Sequence, residues 1–177
     1  YTIEKLAGFY SALPLVGGML GGFLGGYLGD KIVRRNHGSP KWARRITGAL
    51  GKGSAAILLC VSLLFIDNPL AFALILCVAK VGADISLATR WAAVTDIGGP
   101  VIATLFALIN ASAIGAGMIG SIIYGNIVPD MEQGVAPLPG EWRPVIYVVI
   151  GMYVLCSLTW LLPDTQKPLF VEACDEE

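Results

Sequence analysis

The sequence has little charge and almost no histidine. Only 14% of the 177 residues are Asp, Glu, Lys or Arg, and His37 is the one histidine. The four cysteines have no CxxC spacing, so neither a zinc motif nor a disulfide framework is expected. No catalytic serine or carboxylate pair can be matched to His37, which lies in a polar segment. The sequence therefore predicts a protein that is not an enzyme and that needs no metal or cofactor.

Long apolar runs take the place of charge. Hydrophobic residues make up 55% of the chain, and the mean hydropathy is +0.71. Several runs approach or exceed the ~18–20 residues that a membrane-spanning helix needs. We therefore predict an all-α integral membrane protein, a single membrane domain over 1–177 with about five spans. The predicted spans are 6–29, 48–66, 70–94, 101–128 and 144–162.

The basic segment 30–47 sets the predicted orientation. Six of the 12 Lys and Arg residues lie between Lys31 and Arg45. Because positively charged loops stay on the cytoplasmic side, this loop is predicted to be cytoplasmic, in an inner or plasma membrane. Alternation of the spans then places the tail 163–177 on the same side. An outside start, an odd number of spans and no initiator methionine predict a piece of a longer chain.

A basic stretch can also bind nucleic acid, but its surroundings here favour the membrane. Both flanks are apolar spans, and Trp42 is the one aromatic residue within the run. Nucleic-acid sites usually interleave several aromatic residues with the basic ones. We therefore expect the lipid bilayer, and no nucleic acid, as a partner.

The first predicted span contains two glycine ladders with a spacing of four residues. The first ladder consists of Gly17, Gly21, Gly25 and Gly29, and the second of Gly18, Gly22 and Gly26. In water each glycine would cost a helix roughly 1 kcal/mol relative to alanine, whereas in lipid small residues let two helices approach closely. The fourth span repeats the spacing with Ala113, Gly117, Ser121 and Gly125. Both patterns predict helix-packing faces.

Lys80 and Asp84 are charged residues in the middle of the third predicted span. They are four residues apart, so both side chains project from the same helix face. With the outer boundary at Leu70, Lys80 would lie ~15 Å deep at 1.5 Å per residue. An ionisable residue at that depth costs at least ~2.5–3.5 kcal/mol on insertion scales. The pair is either a substrate or coupling-ion site facing a watery cavity, or an internal ion pair that neutralises itself.

Three further polar residues also have more than one interpretation. Arg90 and Asp96 flank Trp91 at the inner end of the third span, as interface anchors or as a gate contact with another helix end. Asn110 lies about a third of the way into the fourth span and needs a hydrogen-bond partner. That partner is a neighbouring helix, water or a substrate.

The segment Gly26–Arg35 resembles the loop signature of the major facilitator superfamily. The signature is a glycine, an aspartate four residues on, then a basic residue and a further basic cluster between two helices. Four more predicted spans follow it, which matches the eighth to twelfth helices, so the chain is similar to most of a C-terminal half. Residues 91–97 followed by 106–110 resemble the tenth-to-eleventh helix region of the anion:cation symporter branch. The chain departs from that branch at 99–102, where relatives often carry basic residues.

The resemblance implies a secondary active transporter in which two six-helix halves alternate access to a central site. The cargo would be a small organic anion such as a sugar acid, coupled to H⁺ or Na⁺, and the partner would be the N-terminal half of the same transporter. Asn110 would match a polar position near the substrate. The loop and gate residues would be Gly26, Asp30, Lys31, Arg34, Arg35, Arg90 and Asp96. The alternative is a non-transporting membrane scaffold that binds partner helices through its small-residue faces.

Overall fold

The computed structural model of the protein describes residues 2–35, 40–129 and 138–162, and every regular element in these ranges is a helix. The α-helices are α1 (Thr2–Arg35), α2 (Pro40–Ser62), α3 (Pro69–Gly98), α4 (Ile102–Gly125) and α5 (Arg143–Thr159). Short 3₁₀ turns lie at Leu63–Phe65, Gly99–Val101 and Pro139–Trp142. The predicted all-α class is confirmed for these residues. Residues 36–39 of the predicted turn, most of the predicted outer loop and the tail 163–177 lie outside the described residues.

Four helical stretches in the described ranges are long and apolar enough to cross a membrane. They are Lys5–Arg35, Lys41–Phe65, Pro69–Gly125 and Pro139–Thr159. By length and composition, therefore, the chain is a multi-pass membrane protein, as predicted. The third stretch has 57 residues, and a straight helix of that length would measure ~85 Å against the ~30 Å of a bilayer core. The turn at 99–101 divides this stretch into α3 and α4, close to the boundary between the third and fourth predicted spans.

The charged segment 30–47 is more helical than the sequence predicts. α1 continues through Asp30 to Arg35, and α2 begins at Pro40, which suits a first helical turn because proline has no N–H to satisfy. A helix can continue past the hydrocarbon boundary because its charged end residues then lie among headgroups and water. Arg34 and Arg35 occupy the last turn of α1, where cations oppose the negative end of the helix dipole.

The first glycine ladder of α1 lies directly on the backbone of α3. Gly17, Gly21 and Gly25 are buried, and a Cβ added to Gly25 would lie 2.5 Å from the carbonyl oxygen of Ile85. Real Cβ atoms essentially never come so close to backbone, so only glycine permits this approach. In the second ladder, a Cβ on Gly22 would meet nothing within 4 Å. α3 also packs against α2, and α2 packs against α5.

α4 departs from the other helices at a glycine turn. Gly99 has a φ of +43°, a conformation that side-chain-bearing L-residues rarely adopt. Trp91 of α3 and Phe106 of α4 face each other near this turn with ring centroids 4.9 Å apart. No residue of α4 is buried, and a Cβ on Gly117 or Gly125 would meet nothing within 4 Å. The predicted packing face of α4 therefore has no partner in the part of the chain that the structure describes.

Candidate functional site

Lys80 and Asp84 form an ion pair within α3. The Lys80 ammonium donates to both carboxylate oxygens of Asp84, at 2.7 Å to Oδ1 and 2.8 Å to Oδ2. Their spacing of four residues places the two side chains one turn apart on one face. The Asp84 side chain is 16% exposed and that of Lys80 39%. The Asp84 carboxylate is therefore the more enclosed partner, and the Lys80 side chain is the one that can change its rotamer more readily.

A cavity of about 210 Å³ lies beside this pair, between α1, α2, α3 and α5. Gly18 makes room on the α1 side, because a Cβ there would lie 2.5 Å from Asp84 Oδ2. The cavity is lined by Pro14, Ala55, Leu59, Leu76, Ala79, Lys80, Val149 and Tyr153. Two polar groups in an otherwise apolar lining are the usual composition of a small-molecule site.

Lys52 of α2 is a third charged residue in the middle of a helix, and sequence reasoning missed it. It lies 12 positions after Pro40, the first residue of α2, and thus ~18 Å along the helix. Its Nζ is 5.1 Å from the centroid of the Tyr153 ring, the same ring that lines the cavity with Lys80. No carboxylate within the described ranges forms a salt bridge with Lys52.

The charges near Lys52 are mostly positive. Lys52 contacts the Tyr153 ring, which lines the cavity with Lys80, and Lys80 in turn holds Asp84. One carboxylate cannot neutralise two cations, so this mid-helix cluster of Lys52, Lys80 and Asp84 carries an excess of positive charge. In a low-dielectric interior such an excess is costly unless an anion or water compensates for it. The arrangement is chemically suited to attract and hold an anion.

Arg90 lies on α3 next to Trp91, six positions after Asp84. Its guanidinium carbon is 4.6 Å from the centroid of the Trp91 ring, and Trp91 in turn contacts Phe106. The Nε of Arg90 is buried with no hydrogen-bond partner among the described residues. Arg90 does not pair with Asp96, the other charged residue near Trp91 in the sequence.

Asp96 instead pairs with Arg44 from the start of α2. Arg44 Nε donates to Asp96 Oδ2 at 3.1 Å, and the two side chains are 10% and 25% exposed. Gly29 makes room for the arginine, because a Cβ there would lie 3.3 Å from Arg44 Nη1. The sequence allowed two interpretations of Asp96, an interface anchor or a gate contact with another helix end. The contact with Arg44 joins Asp96 to the start of α2, and a gating role stays a prediction. The sequence did not single out Arg44, which is 52 positions away.

Loss of the Arg44–Asp96 pair is expected to loosen α2 from α3. We expect Asp96→Asn to lower the free energy of unfolding by about 1–3 kcal/mol, because the enclosed Arg44 loses its carboxylate partner. Thermal unfolding of the purified protein in detergent, followed by tryptophan fluorescence, measures this. Asp67→Asn, in the exposed turn between α2 and α3, is the control and should change little. Equal stability of Asp96→Asn and the wild type would show that the pair contributes nothing.

The residues of the loop signature lie in the last turns of α1. Asp30, Lys31, Arg34 and Arg35 are exposed, and Lys31 Nζ is 5.7 Å from the centroid of the Tyr27 ring. A Cβ on Gly26 would meet nothing within 4 Å. In the described structure the signature therefore faces outward beside the Arg44–Asp96 pair, and its gating role stays a prediction.

Asn110 is not brought together with Lys80 and Asp84. It lies on α4, is exposed, and is not among the residues that line the cavity. Its assignment as a substrate residue stays a prediction as well. The residues that the structure adds to the site are Lys52 and Tyr153. The signal for Lys52 was a charged residue inside the second predicted span, 48–66, four positions after its start.

No protein-family model matches the chain, and no curated protein matches it at a significant level.

Proposed function

We propose that the protein is a secondary active transporter of the major facilitator type that moves a small organic anion, such as a sugar acid, across the membrane. α1 to α5 would correspond to the eighth to twelfth helices, with the N-terminal half completing the pathway. The basic ends of α1 and α2 and the tail would face the cytoplasm. Alternating access between the two halves would carry the substrate past the mid-helix cluster.

The observation that carries this proposal is the excess of cations at mid-helix depth beside a cavity. Lys52, Lys80 and Asp84 lie in apolar helices, where ionisable residues are costly and typically mark a substrate or ion pathway. A self-neutralising ion pair accounts for Lys80 and Asp84, but among the described residues Lys52 forms no salt bridge that would supply a counter-charge. An anionic substrate supplies that counter-charge.

The Lys80–Asp84 pair offers a way to couple the anion to H⁺ or Na⁺. While Asp84 is ionised and free of Na⁺, both of its oxygens hold the Lys80 ammonium. A proton or Na⁺ taken up by Asp84 neutralises the carboxylate and releases the positive charge of Lys80 toward the cavity that it lines. The cation and the organic anion would then favour each other's binding, which is the requirement for symport.

Uptake by proteoliposomes that contain the intact protein tests the proposal. With an imposed H⁺ or Na⁺ gradient we expect accumulation of labelled D-glucuronate or D-gluconate, and none of uncharged D-glucose. The comparison isolates the carboxylate, because the three solutes have similar size and hydroxyl content.

Two results would contradict the proposal. Equal uptake of glucose and glucuronate would remove the anion preference. Absence of flux for all three solutes would favour the scaffold alternative, for which the uncovered small-residue face of α4 is the supporting observation.

A further inference from the structure

We propose that Lys52, together with the Tyr153 ring, is the residue that binds the carboxylate of the transported anion. This inference rests on the proposed function and deepens it, because it assigns substrate recognition to a residue outside the Lys80–Asp84 pair. Lys52 would be the permanent anion contact, and Lys80 would join it only when Asp84 is neutralised.

Both acidic residues of α3 are already engaged by other cations. Both carboxylate oxygens of Asp84 are already engaged by Lys80, at 2.7 and 2.8 Å. Asp96, the next acid along α3, is engaged by Arg44. Lys52 contacts the face of Tyr153 and forms no salt bridge within the described ranges. A cation over an aromatic face keeps part of its stabilisation and leaves its N–H donors free for an incoming anion.

The register of α2 against α3 places Lys52 near the Lys80–Asp84 pair. A Cβ on Gly51 would lie 2.7 Å from the carbonyl oxygen of Gly82 and 3.2 Å from the backbone nitrogen of Ser86, so this part of α2 lies at the level of residues 82–86 of α3, which include Asp84. Lys52 is also on the face of α2 that carries Ala55 and Leu59, which are three and seven positions further on and line the cavity. Lys52 therefore lies about one helical turn from the cavity lining, toward the N-terminal end of α2.

Both lysines lie beside the Tyr153 ring. One ring contacts Lys52 and lines the cavity with Lys80. A ligand with a carboxylate at one end and hydroxyl groups at the other could place the carboxylate on Lys52 and the remainder in the cavity of about 210 Å³. A polyhydroxy monocarboxylate of about a dozen heavy atoms matches that description.

The first part of the test is water access to position 52. In a variant whose four native cysteines are replaced, Lys52→Cys should react with the anionic reagent 2-sulfonatoethyl methanethiosulfonate, and D-glucuronate should slow the reaction at least about fivefold. Ile57→Cys is the matched control on the same helix. Its native side chain is 66% exposed and is not among the residues that line the cavity, so D-glucuronate should not change the reaction rate of the cysteine.

The second part is transport of D-glucuronate by charge variants. Lys52→Gln should raise the KM at least about tenfold with little change in kcat, because the anion loses a charged donor in both ground and transition state. Lys52→Arg keeps the charge and should recover most of the affinity, which a merely structural role of the lysine would not require. Lys5→Gln, on an exposed residue near the start of α1, is the control.

The outcomes separate this inference from the proposed function. Glucuronate uptake that continues with an unchanged KM in Lys52→Gln overturns the role of Lys52 and leaves the transporter standing. Failure of Lys52→Cys to react also overturns it. No uptake by the wild type overturns the proposed function, and this inference with it. If Lys52→Gln does not fold, the Lys52→Cys labelling and the KM of Lys52→Arg decide.

Discussion

Replacing Gly21 by alanine is expected to destabilise the protein strongly, while the same replacement at the next residue, Gly22, leaves its stability unchanged or raises it. A Cβ on Gly21 would overlap with the backbone of Val81 on α3, and neither backbone can move aside locally. Overpacking of this kind costs about 1–3 kcal/mol, with the upper end expected where the clash is with main chain. Thermal unfolding in detergent measures the difference.

The pair of variants is self-controlled, because both remove one glycine from the same turn of α1. Gly22→Ala adds a methyl group where nothing lies within 4 Å, and it gains the helix preference of alanine. Gly25→Ala and Gly26→Ala repeat the comparison one turn further on, with Ile85 as the clashing residue. Equal stability of Gly21→Ala and Gly22→Ala would mean that α1 does not lie on α3 as described.

Neutralising Asp84 alone is expected to be more harmful than removing both members of its ion pair. Asp84→Asn leaves the Lys80 ammonium without its carboxylate at mid-helix depth. An unpaired charge there costs about 2.5–3.5 kcal/mol on insertion scales. We expect a lower yield of folded protein when no anion is present, measured by size-exclusion chromatography of membrane extracts. Adding Lys80→Met removes the unpaired charge, and the double variant should recover most of the wild-type amount of folded protein.

Transport by the double variant then separates the two interpretations of the pair. If the pair is a coupling site, the folded Lys80→Met/Asp84→Asn protein should lose at least about nine-tenths of the gradient-driven glucuronate uptake of the wild type. An internal ion pair that only helps the helix insert predicts uptake at the wild-type rate. Wild-type uptake by the double variant would therefore remove Lys80 and Asp84 from the mechanism.

Sequence patterns predicted the helical class and the shared helix face of Lys80 and Asp84, because these depend on near neighbours along the chain. The spacing of Lys80 and Asp84 placed them on one face, and the structure shows their ion pair at 2.7 Å. The structure extends α1 to Arg35, beyond the predicted end of the first span, because hydropathy marks where a helix leaves the hydrocarbon and not where the helix itself stops.

Contacts between distant residues could not be read from the sequence. Arg44 and Asp96 are 52 positions apart, and nothing in the local pattern pairs them. Lys52 meets Tyr153 only because α5 packs against α2, as the hydrogen bond from Ser157 Oγ to the Ala49 carbonyl at 2.8 Å also shows. In a uniformly apolar helix, periodicity does not tell which face meets a neighbour and which meets lipid.

Gly99 lies at the junction of α3 and α4, so a small change in its backbone angles would move the far end of α4 a long way. α4 comprises 24 residues and is therefore ~36 Å long. A rotation of α4 by ~10° about Gly99 would move its far end by ~6 Å. With φ at +43°, Gly99 has a backbone conformation that a residue with a side chain rarely adopts. A bulkier residue at position 99 is expected to change the direction of α4 relative to α3.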